Sequence, residues 1–243
     1  MLEDKVVIVT GAGSGIGKEI ARECIGKGAT VLACDLNEVK LHQLSEEIAS
    51  NRLSTYSLDV SDLRQVEGFF QQIYEYHPRI NALINNAGIY FGKSMLDYEE
   101  NEVDQVLNVN VKGYIYFTKF FAKMLLQDKR KGCVVNISSV SGEEGSSDAI
   151  YGLSKAAILG LTKSNAINFA PYIRVNAVAP TIVDTSMMEQ IPKWRKDQYV
   201  NQSLLQKSLL PSDVANSVIF LLSDLAGNYT GATLDINNGC YLR

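Results

Sequence analysis

Tyr151 and Lys155 stand four positions apart in "YGLSKAAILGL", whose apolar residues read as a covered helix. That spacing stacks the two side chains on one helix face. An ammonium beside a phenol favours the phenolate, so the pair predicts that Tyr151 is more acidic than the usual value near ~10. A tyrosine tuned this way suits proton exchange with a carbonyl or hydroxyl oxygen. With 12 tyrosines and 15 lysines in 243 residues, about one such pair arises by chance, so its meaning depends on its surroundings.

"TGAGSGIG" (10–17) follows the apolar run "KVVIV" and opens a helical pattern. Gly11, Gly15 and Gly17 permit a tight turn and a close approach to a pyrophosphate, which unpaired N–H groups of the next helix would bind. The spacing is GxxxGxG. Asp35 ends the second apolar run, where a carboxylate accepts from adenosine ribose hydroxyls and repels a 2′-phosphate. Positions 12–14 hold no basic residue, which predicts NAD over NADP.

Those residues need elements to hold them. Runs at 5–10, 29–35, 53–59, 80–86, 132–138, 173–179 and 232–236 read as buried strands. Helical patterns near 16–27, 37–50, 62–76, 99–126, 150–169 and 211–223 separate them. This alternation predicts an α/β fold, a single Rossmann-like domain over 1–243. Its doubly wound parallel sheet has about seven strands with helices on both faces. The irregular stretch 181–210, with Pro192 and the only tryptophan, is expected to be a substrate-side lid or a partly helical insertion.

Bulk properties narrow the function. A net charge of −4 gives no support for nucleic-acid binding. No apolar run is long enough to cross a bilayer, and the acidic start argues against a secretory signal. Scattered Cys24, Cys34, Cys133 and Cys240 read as reduced thiols of a cytoplasmic protein. His42 and His77 read as surface or structural residues, so no metal is expected.

The glycine loop, "NNAG" at 85–88 and YxxxK at 151–155, in that order, resemble the short-chain dehydrogenase/reductase family over essentially the whole chain. The resemblance implies Tyr151 as acid/base, with Lys155 lowering its pKa and binding the nicotinamide ribose. It implies Ser139 as the group polarising the substrate oxygen. Ser138 stays open as the alternative, because the segment from serine to tyrosine is one residue short. "NVNVKG" implies Asn110 in a water relay, with Asn108 structural. Asp59 and Val60 would contact adenine, while Ser14 and Ile16 join the glycine loop around the cofactor. Asn86, Ala87 and Gly88 would run beside the cofactor, and Asn85 would stabilise the sheet. Pro180, Ile182 and Thr185 would contact the nicotinamide, with Thr181 where the family has glycine. The ending "YTGATLDINNGC" departs from the family's double glycine at Asn237 and Asn238, and reads as a last strand and subunit contact.

Together these imply NAD(H)-dependent hydride transfer to or from a small hydroxy compound such as a polyol, sugar or hydroxy acid. A 3-oxoacyl carrier-protein reductase is the alternative. A non-catalytic NAD(H) sensor or scaffold is the reading from another class, although the chain keeps both Tyr151 and Lys155. Tyr90, Phe91, Met187, Met188, Ile191 and Trp194 suggest an apolar pocket wall. Glu143 and Glu144 would disfavour an anion if they face that pocket. Lys129, Arg130 and Lys131 form a basic cluster, read as a solvated turn or a dock for an acidic carrier. The resemblance implies a homo-oligomer, a tetramer or dimer; apolar residues on several faces of 99–126 and 150–169, among them Tyr114, Tyr116, Phe117, Phe120 and Phe121, would let one face pack on the sheet and another on a partner.

Overall fold

A computed structural model describes residues 1–77, 79–191 and 193–242, with backbone only at Gln190 and Arg195. In chain order the elements are β1 (Val6–Thr10), α1 (Gly15–Gly26), β2 (Thr30–Asp35), α2 (Glu38–Ile48), β3 (Leu53–Ser57) and α3 (Leu63–Tyr76). Then come β4 (Ile80–Asn85), α4 (Glu100–Leu107), α5 (Gly113–Gln127), β5 (Gly132–Ile137) and α6 (Ala149–Phe169). The last are β6 (Ile173–Pro180), α7 (Lys193–Gln202), α8 (Pro211–Leu222) and β7 (Thr233–Ile236). All seven strands pair in parallel, in the order β3-β2-β1-β4-β5-β6-β7.

Strand side chains alternate between faces, and the core divides accordingly. Val7 and Val9 pack with Ile20 and Ala21 of α1, Leu41 of α2 and Val214 and Val218 of α8. Ile8 points the other way, toward Phe69 and Phe70 of α3 and Phe117 and Phe121 of α5. The rings of Phe69, Phe70 and Phe117 meet at centroid distances of 5.3–5.7 Å. Each such ring, once buried, contributes about 1.5–3 kcal/mol through area removed from water. Both faces are covered, as near-continuous apolar strands require.

The chain leaves β1 toward β2 and β3, then returns to place β4 on β1's other side. That reversal opens a crevice at the carboxyl ends of β1 and β4, where this architecture binds ligands. Tyr151 belongs to the first turn of α6, which packs on β6, so it and the glycine loop after β1 meet at the carboxyl end of the sheet.

One stretch departs from the sequence expectation, and a second takes the partly helical form open to it. The helix expected over 99–126 is divided by a π turn at Asn108–Lys112. The wider turn lets Asn110 grip Ile89: its Oδ1 accepts from Ile89 N at 2.8 Å and its Nδ2 donates to Ile89 O at 3.0 Å. The stretch 181–210 carries a 3₁₀ turn (Ser186–Gln190) and α7, and a parallel bridge between Val183 and Leu209 closes its base. Pro192, part of that expected lid, lies outside the described residues.

Candidate active site

The glycine loop is shaped for backbone rather than side chains. Gly11 and Gly15 have φ of +65° and +54°, in the region that favours glycine. A Cβ on Gly17 would lie 2.1 Å from Gly11 O, so Gly17 lets α1 press against the loop beneath the cleft. Ser14 is the N-cap of α1, yet its side chain makes no capping hydrogen bond. The first turn of α1 therefore faces the crevice with its N–H groups uncapped by a side chain, which suits an anion.

Asp35 is fixed by two backbone donors: Gly13 N reaches its Oδ2 and Asn37 N its Oδ1, both at 2.9 Å. Gly13 escaped the sequence reading, although a Cβ there would sit 2.9 Å from the Asp35 carboxylate. Lys40 was also missed, and it lines the same end of the cleft. Asp59 binds Ser61 through its Oδ1, and with Val60 it lines the cleft beside Asp35. Asn86 spends its amide on Thr10 O and Gly11 O, tying β4 to the glycine loop. Asn85 is buried and bonds Thr118 and Asn136.

The cleft spans about 1110 Å³ and runs without interruption from Asp35 to Tyr151. Of the residues singled out, Gly11, Ser14, Gly15, Ile16, Asp35, Asp59, Val60, Asn86, Ala87 and Gly88 line it. So do Ser139, Tyr151, Lys155, Pro180, Ile182 and Thr185. Gly17 and Asn110 do not; both lie behind its wall. A Cβ on Gly88 would stand 3.4 Å from Asn110 Oδ1 and 3.6 Å from Lys155 Nζ, so both groups face one small space. A backbone cradle at one end, a ribose-type carboxylate beside it and an acid/base cluster at the other fit a nicotinamide dinucleotide.

Lys155 is buried, with its Nζ 2.9 Å from Ile137 O and 5.6–5.7 Å from the ring centres of Tyr114 and Tyr151. Burial pulls its pKa down to about 8. Tyr151 corrects the sequence expectation: its pKa is pushed up to about 12, not lowered. Burial is the main cause, with Tyr90, Asp148 and Tyr199 adding to it, while a hydrogen bond from Ser139 works the other way. Loss of solvation outweighs the ammonium, whose nearest partner is a carbonyl.

The two serines differ in what they face. Ser138 Oγ donates to Lys155 O at 2.8 Å and anchors α6. Ser139 Oγ bonds Tyr151 and accepts from Ser141 N at 3.1 Å.

On the substrate side Tyr90, Phe91, Met187, Met188 and Ile191 line the cleft, whereas Trp194 is exposed and does not. Tyr90 meets Tyr151 edge-on, with ring centroids 5.0 Å apart. Glu143 and Glu144 are not among the lining residues. Thr181 replaces the family's glycine without a positive φ; its N–H donates to Ile236 O and its Oγ1 accepts from Cys240 Sγ. At Asn238 φ is +52°, so asparagine takes the left-handed turn where the family carries glycine, and its Nδ2 donates to Lys207 O. Among the described residues there is no metal-holding cluster, and no helix is long and apolar enough to cross a membrane.

A family model described as enoyl-(acyl carrier protein) reductase matches residues 11–241. The 3-oxoacyl-[acyl-carrier-protein] reductase of Thermotoga maritima is 35% identical over 242 residues, covering 98% of both chains. The meso-2,3-butanediol dehydrogenase of Serratia marcescens is 32% identical over 239 residues, covering 98% of this chain and 94% of its own. A Brucella melitensis glucose/ribitol dehydrogenase superposes with a TM-score of 0.94 at 29% identity, covering 100% and 98% of the two chains. The 3-ketoacyl-(acyl-carrier-protein) reductase of the same organism, complexed with NADH, gives 0.93 at 26% and covers both chains fully. Likeness of this extent, in sequence and backbone alike, makes the chain a member of the short-chain dehydrogenase/reductase family of oxidoreductases.

Proposed function

We propose that this enzyme interconverts a small uncharged secondary alcohol and its ketone with NAD(H), using Tyr151 as acid/base. The observation that carries this is the meeting of Ser139, Tyr151 and Lys155 at one end of a cleft whose other end is Asp35. Gly11, Ser14, Gly15 and Ile16 would hold the pyrophosphate, with Gly17 letting α1 approach. Asp35 would hold the ribose, and Asp59 with Val60 the adenine. Asn86, Ala87 and Gly88 on one wall and Pro180, Ile182 and Thr185 on the other would flank the nicotinamide. When bound, the nicotinamide supplies the hydride donor or acceptor and, oxidised, a positive charge.

In oxidation Tyr151 Oη takes the hydroxyl proton, and in reduction it returns one. Ser139 Oγ donates to the substrate oxygen as charge develops there. Lys155 holds its ammonium 5.7 Å from the Tyr151 ring centre, and together with the charge of an oxidised nicotinamide it would favour the ionised phenol. Asn110 acts as a positioning residue and relay, because it shares the space at Gly88 with Lys155 Nζ.

The preference for NAD rests on Asp35, whose carboxylate is tied to two backbone donors and is not free to swing from a 2′-phosphate. The uncharged substrate rests on the lining. Among described residues, the only cations there are Lys40, beside Asp35, and Lys155. A 3-oxoacyl carrier-protein reductase is the second reading, favoured by the Thermotoga relative. Lys129, Arg130 and Lys131 do not support it: they precede β5, and the cleft lies past that strand's other end, some ~20 Å away. The intact Tyr151 and Lys155 weigh against a non-catalytic sensor.

For assembly we propose a homo-oligomer, a dimer or tetramer. Tyr114, Phe117 and Phe121 face the core, so an interface would use Ile115, Leu153 and Ile167, which stand exposed on α5 and α6. Four free thiols, three of them buried, suit the cytoplasm. Turnover of vicinal diols, sugar alcohols, hydroxy acids and a 3-oxoacyl thioester, each with NAD(H) and NADP(H), tests the assignment. Highest kcat/KM on a neutral diol or ketone with NAD(H) supports it. Exclusive use of the thioester with NADPH overturns it.

A further inference from the structure

Asp148 is fully buried yet plays no part in the reaction as derived above. It is the N-cap of α6, and its Oδ1 accepts from Tyr151 N at 3.0 Å. A neutral serine or asparagine would cap the helix as well, so capping alone does not call for a buried charge. The rest of the carboxylate faces another element. Tyr98 Oη donates to Oδ1 and Oδ2 at 2.8 and 3.0 Å, and Gly92 N donates to Oδ2 at 2.9 Å. Both donors belong to the loop that leaves β4 and runs past the cleft toward α4.

The same loop carries Tyr90, whose ring stands edge-on against Tyr151. Gly92 has φ +69°, and a Cβ there would meet the Tyr90 ring at 3.2 Å. The backbone that bonds Asp148 is therefore the backbone that holds Tyr90 in place. Phe91 packs on Tyr98 at a centroid distance of 6.2 Å, and Lys93 pairs with Glu102 of α4 at 2.5 Å. Burial and the neighbouring carboxylate both hold Tyr98 in its protonated form, so it remains a donor.

We propose that Asp148 is a positioning residue: with Tyr98 and Gly92 it locks the post-β4 loop to the first turn of α6, fixing Tyr90 against Tyr151. This rests on the reading of Tyr151 as the acid/base. The clip makes one unit of the catalytic phenol and the apolar wall over it, so substrate fit and proton transfer are set together. The charge also acts on Tyr151 directly. The groups facing that phenol are Asp148 and Lys155 from α6, Ser139 after β5, Tyr90 after β4, Tyr114 from α5 and Tyr199 from α7. Of these, Asp148 alone is a carboxylate, and the Tyr98 hydroxyl donates to both of its oxygens.

Tyr98→Phe and Asp148→Asn remove opposite halves of the contact while keeping ring and N-cap. Each should lower kcat/KM about three- to tenfold, largely through KM, with the double variant close to either single one. The pH dependence of oxidative kcat/KM should move in opposite directions. Tyr98→Phe strips the carboxylate of the hydroxyl dipole that screens it from Tyr151 and shifts the midpoint up; Asp148→Asn replaces the carboxylate with an amide and shifts it down, each by roughly half a unit. A merely structural clip moves neither. Unchanged midpoints, shifts of one sign, or additive losses in the double variant overturn the proposal. If Asp148→Asn does not fold, the upward shift in Tyr98→Phe alone decides it. Tyr151→Phe measured alongside separates the two claims: retained turnover there removes the acid/base reading, whereas inactivity with null results at 98 and 148 removes the clip alone.

Discussion

Replacing Lys155 with methionine removes a buried amine and keeps an unbranched side chain of similar length. The folded pKa of about 8 lies below the ordinary 10.5, so the folded chain holds this proton less tightly than the unfolded one. The sign follows from linkage. Stability from this lysine is complete above pH 10.5 and is lost as pH falls through the interval down to about 8. Two and a half pKa units correspond to about 3 kcal/mol at pH 7, and to about 2 kcal/mol at pH 9, where the folded amine is largely neutral. Methionine carries no such dependence. It forfeits the bond to Ile137 O, a loss of about 1–3 kcal/mol that is the same at both pH values. Urea unfolding of the cofactor-free protein and the Lys155→Met variant at pH 7 and 9 isolates the difference. The variant's stability relative to the parent should be about 1 kcal/mol more favourable at pH 7 than at pH 9. A difference that is flat, or that grows with pH, would show that the amine is not desolvated as described.

Four further outcomes follow from the site. Asp35→Ser should lower kcat/KM with NAD about 10- to 100-fold, the worth of hydrogen bonds to a charged group, and raise NADP use in steady-state kinetics. Gly17→Ala places a methyl 2.1 Å from Gly11 O, so nucleotide binding followed by fluorescence should be lost and the melting temperature should fall. Ser139→Ala removes the hydrogen bond that holds Tyr151 down, so the pH midpoint for oxidation should rise and kcat should fall about 100-fold. Ser138→Ala should chiefly cost stability, through its lost bond to Lys155 O; a larger kcat loss at Ser138 than at Ser139 would exchange their roles.

Short-range patterns made much of this molecule legible in its sequence. All seven runs gave strands, but only β1, β2, β4, β5 and β6 are buried as expected, because β3 and β7 are the outer strands of the sheet and stay partly exposed; the glycine loop sat where a strand meets a helix. The π turn at Asn108–Lys112 was not legible, since the reason for it, Ile89, lies 21 residues away from Asn110. The acidity of Tyr151 was misjudged for a related reason. Spacing shows that Lys155 is near, but only the fold shows how much water is excluded and that Ile137 O takes the ammonium. Asp148 had a visible signal, an N-cap residue three positions before Tyr151; its partners Tyr98 and Gly92 come from 50 and more residues upstream. Trp194, read as part of the pocket wall, is exposed to solvent, because the polar sequence of α7 does not reveal which of its sides faces the cleft.

Tyr151→Phe speaks most directly to the central claim that one phenol moves the proton while the loop and strand ends hold the cofactor. The variant should lose about 10²–10⁴-fold in turnover, measured by nicotinamide absorbance, and bind NADH within about threefold of the parent. Turnover above a tenth of the parent's, with NADH still bound, would contradict it.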